Sequence, residues 1–402
     1  MGKRKLILTV EEAEKRIKKA KKKASKIAYI VSISGGKDSV TMADLLLKNR
    51  FPVDYIVAMD TTIDFPETKD FLNKLDNYFY NTYGKRITFL KPREDYKNIL
   101  LTKAQNGENK GKIYGFEAPN KSICKVLTKN KRDVFRAFKK ALKNMGYEGF
   151  YVYVGYTADE AKRSTSKSNF EDRHTKIVAP LITIFNMTEK DCMEYIKRNP
   201  ALFNPLYKHF HRTGCMYCHK QNINSWFVFY QNYYKYWLNL KKYEKIVFKA
   251  AEKEQVVNPY LFRNNKTTED VEKEEFVRIE EKILEKKLVD CEYKNDPIIK
   301  EFAHNYLWYK RQEQIANELY SKKKWDKRMN LLKNFLKGEI NLKEEDCEFL
   351  EETKETIQYT FIKNLIKELE KEPVFKKVMN KIDNITIADL EEGKIDSLNK
   401  SA

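Results

Sequence analysis

The sequence predicts an α/β protein: a doubly wound, mostly parallel five-stranded sheet with helices on both faces, followed by an all-helical C-terminal domain. Three observations carry this expectation. Short apolar runs of strand length alternate with amphipathic segments of helix length over residues 28–200. A glycine turn, SGGKDS (Ser34–Ser39), joins the first apolar run to the first amphipathic segment. From about Ile223 onward the apolar runs give way to Lys/Glu-rich amphipathic segments.

The elements follow in order. TVEE (Thr9–Glu12) has the form of a capping box, so a lysine-rich helix is expected from about Glu11 to Ser25. The first strand is Ala28–Ile33, and the helix after the glycine turn covers Asp38–Asn49. Val53–Met59 is a mostly apolar run and reads as a second buried strand. Pro66 stands in the first turn of the next helix, where its missing N–H costs nothing. Ile87–Leu90 is the third strand, and NGENKGK (Asn106–Lys112) an exposed loop. Val126–Asn144 is helical, Gly149–Gly155 a strand, and Ile177–Ile182 extended; Thr188 caps a helix running to Arg198. Beyond, Trp226, Tyr230, Tyr233, Trp237 and Leu240 share one helical face, as do Ile357, Phe361, Leu365 and Leu369, and TTED (Thr267–Asp270) caps a further helix. The expected division is a basic N-terminal helix over 1–27, an α/β domain over 28–222 and a helical domain over 223–402.

Composition bounds the function. Hydrophobic residues at 42% and aromatics at 13% mark a folded chain, and no apolar run approaches the roughly eighteen residues that span a bilayer. Leu6–Val10 is too short for a secretory core, so no membrane association and a cytoplasmic location are expected. The formal charge is +20, and residues 1–27 hold eleven Lys/Arg against three Glu. Such an excess suits a nucleic acid or another anionic partner, although charge runs also serve as solvated helix faces.

The glycine turn carries the chemistry. A strand that ends in Ser-Gly-Gly and enters a helix gathers backbone N–H groups around one concavity, and glycine lets that backbone approach a ligand closely. The helix N-terminus adds partial positive charge, Lys37 adds a full one, and Ser34 and Ser39 add hydroxyl donors. Phosphate or pyrophosphate is the ligand such a turn suits. The spacing is neither that of a Walker A loop nor GxGxxG.

SGGKDS resembles the PP-loop of the ATP pyrophosphatases, the adenine nucleotide alpha hydrolase-like superfamily, and the likeness extends along the chain. DTTIDFPET (Asp60–Thr68), VGYTADEAKR (Val154–Arg163), PLITIFNMTEKD (Pro180–Asp191) and NPLYKHFHRTGCMYC (Asn204–Cys218) resemble, in family order, the blocks of the PAPS reductase-like branch. The resemblance implies that Ser34, Gly35, Gly36, Lys37, Asp38 and Ser39 hold the phosphates of an adenine nucleotide. Asp60 and Thr61 would lie beside base or ribose, and Asp159, Glu160 and Arg163 would line the same cleft. Lys37 and Asp38 are the implied catalytic pair, with Asp38 also a possible ligand for Mg²⁺. The nucleotide is ATP or PAPS. The intact SGGKDS is the form found in enzymes that split ATP between its α and β phosphates, and the chain lacks the Glu-Cys-Gly-Leu-His tail of the reductases. Both departures favour adenylation coupled to sulfur transfer over sulfonucleotide reduction. A non-enzymatic nucleotide-dependent regulator that binds nucleic acid is the remaining alternative.

Six cysteines in a chain of this length do not read as a disulfide framework. Cys215 and Cys218 form a CxxC pair, a chelate spacing for zinc or an iron–sulfur cluster, and also that of a redox dithiol. By the family resemblance Cys124 would join them, giving a [4Fe–4S] cluster with one open position, or a zinc site completed by His209, His211 or His219. Cys192, Cys291 and Cys347 stand alone and read as packing residues.

Overall fold

The computed structural model describes residues 26–118, 124–160, 174–289, 291, 295–316 and 344–391; within the last stretch it describes side chains at 355 and over 358–390. The helix expected over Glu11–Ser25 and Arg163 lie outside the described residues, as do the side chains of Cys347 and Ile357. The described chain divides into two compact units. One takes the residues up to Asp95 and those from Cys124 to Pro205; the other takes Tyr96 to Ala118 and everything from Leu206 onward.

The first unit is built on five parallel strands: β1 (Ile27–Ile33), β2 (Tyr55–Met59), β3 (Ile87–Leu90), β5 (Gly149–Tyr153) and β6 (Thr175–Val178), in the order β3-β2-β1-β5-β6. Register is fixed by pairs such as Val31↔Ile56 and Val31↔Tyr153 on either side of the central β1. β1 is buried on both faces, as its near-continuous apolar run requires: Ala28, Ile30, Val31 and Ile33 are all at most 2% exposed. Helix α1 (Lys37–Lys48) follows β1, α2 (Pro66–Tyr83) follows β2, and α4 (Asp133–Asn144) leads into β5. Phe135 and Leu142 of α4 pack with Ala28, Ile30, Val57, Phe150 and Val152. Helix α5 (Glu189–Lys197) starts at Thr188, whose side chain and that of Asp191 form the reciprocal box that satisfies two backbone donors.

Two expectations in this unit are corrected. The stretch Ile177–Ile182 is extended only to Val178; Pro180 opens a helical turn, Pro180–Thr183, because its fixed φ suits a first helical position. The helix expected from Val126 begins as a π-helical segment, Leu127–Arg132, before α4 proper.

The second unit is mainly helical. Helices α6 (Ile223–Asn232) and α7 (Tyr234–Ala251) meet at Tyr233, whose φ of −131° breaks the run. The aromatic face read from the sequence is core: Trp226, Tyr233, Trp237 and Leu240 are at most 7% exposed, and Trp226 meets Trp237 and Phe262 edge to face. Helices α8 (Val277–Lys287), α9 (Pro297–Glu313), α10 (Glu344–Leu369) and α11 (Pro373–Ile382) complete it, and Thr267 caps a turn through Asp270 as TTED predicts. In α10 the buried face is Tyr359, Ile362 and Ile366, whereas Phe361 and Leu365 are exposed. The helix carries two apolar stripes, and the i, i+3, i+7 set won the interior.

This unit also holds a two-stranded parallel pair that periodicity did not reveal: β4 (Ile113–Gly115) with β7 (Val256–Asn258), in register Gly115↔Asn258. Helix α3 (Tyr96–Leu101) precedes β4, and Tyr96 stacks among Tyr217 and Tyr243. Segment 96–118 therefore belongs with the helical unit, whereas the sequence placed it in a continuous domain over 28–222. Among the described residues no helix is long and apolar enough to cross a membrane.

Gly115 adopts φ +71°, and a Cβ there would sit 2.0 Å from the carbonyl oxygen of Asn258. The substitution Gly115→Ala is expected to destabilise this unit by on the order of 3 kcal/mol, read as a lowered thermal unfolding midpoint.

Candidate phosphate-binding site

The sheet order places a reversal beside β1: the chain steps outward to β2 and β3 on one side, then returns to β5 and β6 on the other. Ligands of open parallel sheets bind outside the carboxyl ends of the strands at such a point. Ser34–Ser39 leaves the carboxyl end of β1 there. Gly35 takes φ +79°, which turns the chain sharply into α1. Its carbonyl accepts a 2.9 Å hydrogen bond from Asn204 Nδ2, fully buried at 0% exposure, and a Cβ at Gly35 would stand 3.2 Å from Thr68 Cγ2.

Helix α1 starts without a side-chain cap: Gly36 supplies none. The first-turn amides of such a helix have no intrahelical acceptor and carry the positive end of its dipole. Ser39 Oγ donates to the Gly36 carbonyl at 3.0 Å and receives the Ser34 N–H at 3.2 Å, tying both ends of the turn together. From the other side of the reversal comes Gly155, just past β5. A Cβ on it would lie 2.8 Å from Ser39 N and 2.9 Å from the Asp38 carbonyl carbon, so only glycine admits this approach.

Lys37 is buried at 5% exposure; its Nζ lies 2.5 Å from Glu189 Oε1 at the start of α5 and 3.8 Å from Asp38 Oδ2. Asp38 Oδ1 is buried with no hydrogen-bond partner. Burial, reinforced by Glu189 and Glu160 and partly opposed by Lys37, pushes the Asp38 carboxyl up from 3.8 to about 6. Asp159 lies in the same region, but its Oδ2 accepts the Glu189 N–H at 2.8 Å, a capping role for α5.

At the end of β2, Asp60–Asp64 forms a self-bonded loop. Asp60 Oδ1 accepts the Thr62 N–H at 2.7 Å, and Asp64 Oδ2 accepts the Thr61 N–H at 2.9 Å. Thr61 is fully buried, and its carbonyl is held by Asn130 Nδ2 at 3.2 Å. Thr62 stands at φ +68°, in the left-handed region that a β-branched residue enters only under strain. The resembled block has glycine at this position.

The cysteines divide differently. Cys124 belongs to the first unit, where its Sγ accepts the Leu127 N–H at 3.2 Å. Cys215 and Cys218 belong to the second, in one turn closed by the Cys218 N–H on the Cys215 carbonyl at 3.3 Å and by Gln221 Nε2 on the Cys215 and Met216 carbonyls. Among the described residues no group of three or more His, Cys, Asp or Glu is arranged to hold a metal ion. Cys192 is fully buried, and burial with the nearby Asp38 charge pushes its thiol up to about 12, the state of a packing residue.

Three further residues shape this site: Gly155, Asn204 and Glu189 lie inside the resembling blocks without an assigned role, Glu189 because a carboxylate at a helix start reads as ordinary capping. A parallel sheet with a glycine-bearing, uncapped helix start at its reversal point is the arrangement of an α/β domain suited to an anion. Residues 28–221 match the family model described as phosphoadenosine phosphosulfate reductase domain. The match, just under half of the chain, is to a domain of the PP-loop, adenine nucleotide alpha hydrolase-like superfamily. It is also 26% identical over 226 residues to an uncharacterized protein of Methanocaldococcus jannaschii, an alignment covering 56% of this chain and 42% of that relative.

Because the folded state holds Asp38 near 6 against an ordinary 3.8, it binds more protons than the unfolded chain between those values. This group's contribution to stability thus falls as pH rises through that window and stays unfavourable above it. Asp38→Asn is expected to raise the melting temperature at about pH 7.5 and to change it little near pH 4, as read by calorimetry in metal-free buffer.

Proposed function

We propose that the protein binds ATP on Ser34–Ser39 and cleaves it between the α and β phosphates, transferring AMP to an acceptor oxygen. The single observation that carries this reading is the uncapped start of α1, with Gly35 left-handed and Gly155 packed against Ser39 at the sheet reversal. The acceptor oxygen attacks the α phosphorus, the bond to the bridging oxygen breaks, and pyrophosphate departs. Amides of the turn and Lys37 stabilise the charge that grows on the leaving group. The carboxylate of Asp38 suits Mg²⁺, an ion bound by one or two carboxylates together with substrate phosphates. When bound, that ion would neutralise phosphate charge. Asp60 and Thr61 would bound the nucleoside end.

The family's chemistry supports a second stage, in which a sulfur nucleophile displaces AMP from the acceptor and leaves sulfur in place of the activated oxygen. The Cys215–Cys218 turn, half exposed, is the candidate for handling that sulfur. A second reading, reduction of a sulfonucleotide, draws support from the description of the matched family model itself. The basic balance of the chain supports an anionic acceptor such as a nucleic acid.

Incubation with α-labelled ATP and candidate acceptors is expected to release pyrophosphate and yield labelled AMP or an adenylate. Lys37→Ala is expected to weaken ATP binding about tenfold or more. Release of ADP and phosphate, or sulfite formation from PAPS with ATP left intact, would contradict the adenylation reading.

A further inference from the structure

We infer that Glu189 is a latch on Lys37: a phosphate chain reaches this lysine by displacing the Glu189 carboxylate, which makes Glu189 a competitor built into the mouth of the loop. The inference rests on the reading of Ser34–Ser39 as the phosphate loop and adds to it a competitor built into the protein.

The two partners are unequally placed. The Lys37 side chain is 6% exposed, whereas that of Glu189 is 57% exposed. A buried ammonium needs a counter-charge at all times, and leaving it without one is costly. An exposed carboxylate loses little when released, because water takes over its solvation. The pair is therefore built for exchange on one side only: the lysine stays and the anion can change. Glu189 is held in position from behind by Asp159, which accepts its N–H at 2.8 Å, and α5 is fixed by the Thr188–Asp191 box. The carboxylate thus sits at the mouth of the loop on a rigid element, 152 residues away in sequence from the lysine it meets.

The surroundings sharpen the competition. Asp38, Asp159, Glu160 and Glu189 all carry negative charge in the region of Lys37. An entering anion must repay the loss of the Glu189–Lys37 pair and overcome this repulsion. A monophosphate brings about −1.5 to −2 of charge against the single charge it displaces. A di- or triphosphate brings more, and also fills the amide cradle of α1, so it wins the exchange. Glu189 on this account subtracts the same pair energy from every anion that takes its place, and adds a repulsion that grows with the charge of that anion.

The test is isothermal titration with inorganic pyrophosphate, ATP and AMP, in wild type and in Glu189→Gln, Lys37→Met and the double variant. Glu189→Gln keeps the size and hydrogen-bonding reach of the side chain and removes its charge. It is expected to tighten pyrophosphate and ATP binding about tenfold and AMP binding by no more than that factor. In the Lys37→Met background the same substitution is expected to have at most about a twofold effect, within the scatter of independent sites. ATP binding by wild type with no gain in Glu189→Gln, or an equal gain without Lys37, would overturn the latch alone. Absence of ATP binding in every variant would overturn the phosphate-loop reading beneath it.

Discussion

The structure of the site depends on one close approach. Gly155 brings the backbone leaving β5 against the backbone of Asp38 and Ser39, at a distance no side chain would permit. With that contact, the carboxyl ends of β1 and β5 converge on the first turn of α1, and the sheet reversal becomes a concavity lined by main-chain donors. The Gly35 turn and its carbonyl's bond to Asn204 act in the same direction, since they set the angle at which the helix starts. The shape of this turn is therefore a property of the backbone path. The side chains around it adjust the charge.

Those side chains are held at some cost to folding. Lys37 is buried, Asp38 keeps an unpartnered buried oxygen and a raised pKa, and Thr62 occupies a left-handed conformation. Strain and imperfect solvation of this kind collect where a ligand is meant to complete the structure. The neighbouring polar groups are, by contrast, well satisfied. Asn130 serves the Thr61 and Glu94 carbonyls and the Arg93 and Glu94 amides at once, and Asp60 and Asp64 close their own loop.

Much of this was legible in the sequence, for local reasons. SGGKDS announced its turn because glycine spacing and the strand-to-helix change of period are encoded in adjacent residues. The same holds for Pro66 at a helix start and for the Thr188 and Thr267 caps. What escaped reading joins residues far apart in the chain. The β4–β7 pair rests on three-residue strands about 140 residues apart, too short for any alternation to show. Glu189 meets Lys37 only because α5 returns to the start of α1, and Gly155 looks like an ordinary strand end until the fold presses it on Ser39. The stripe Phe361 and Leu365 was misassigned because α10 has two apolar faces and only tertiary packing selects between them.

The central claim is that the amides of the β1–α1 turn grip the phosphate chain of an adenine nucleotide. The most direct measurement is a crystal structure of the chain with a non-hydrolysable ATP analogue. The account predicts phosphate oxygens within hydrogen-bond distance of main-chain nitrogens between Gly35 and Ser39, with the base toward Asp60 and Thr61. An ordered nucleotide bound elsewhere, with that turn untouched, would contradict it.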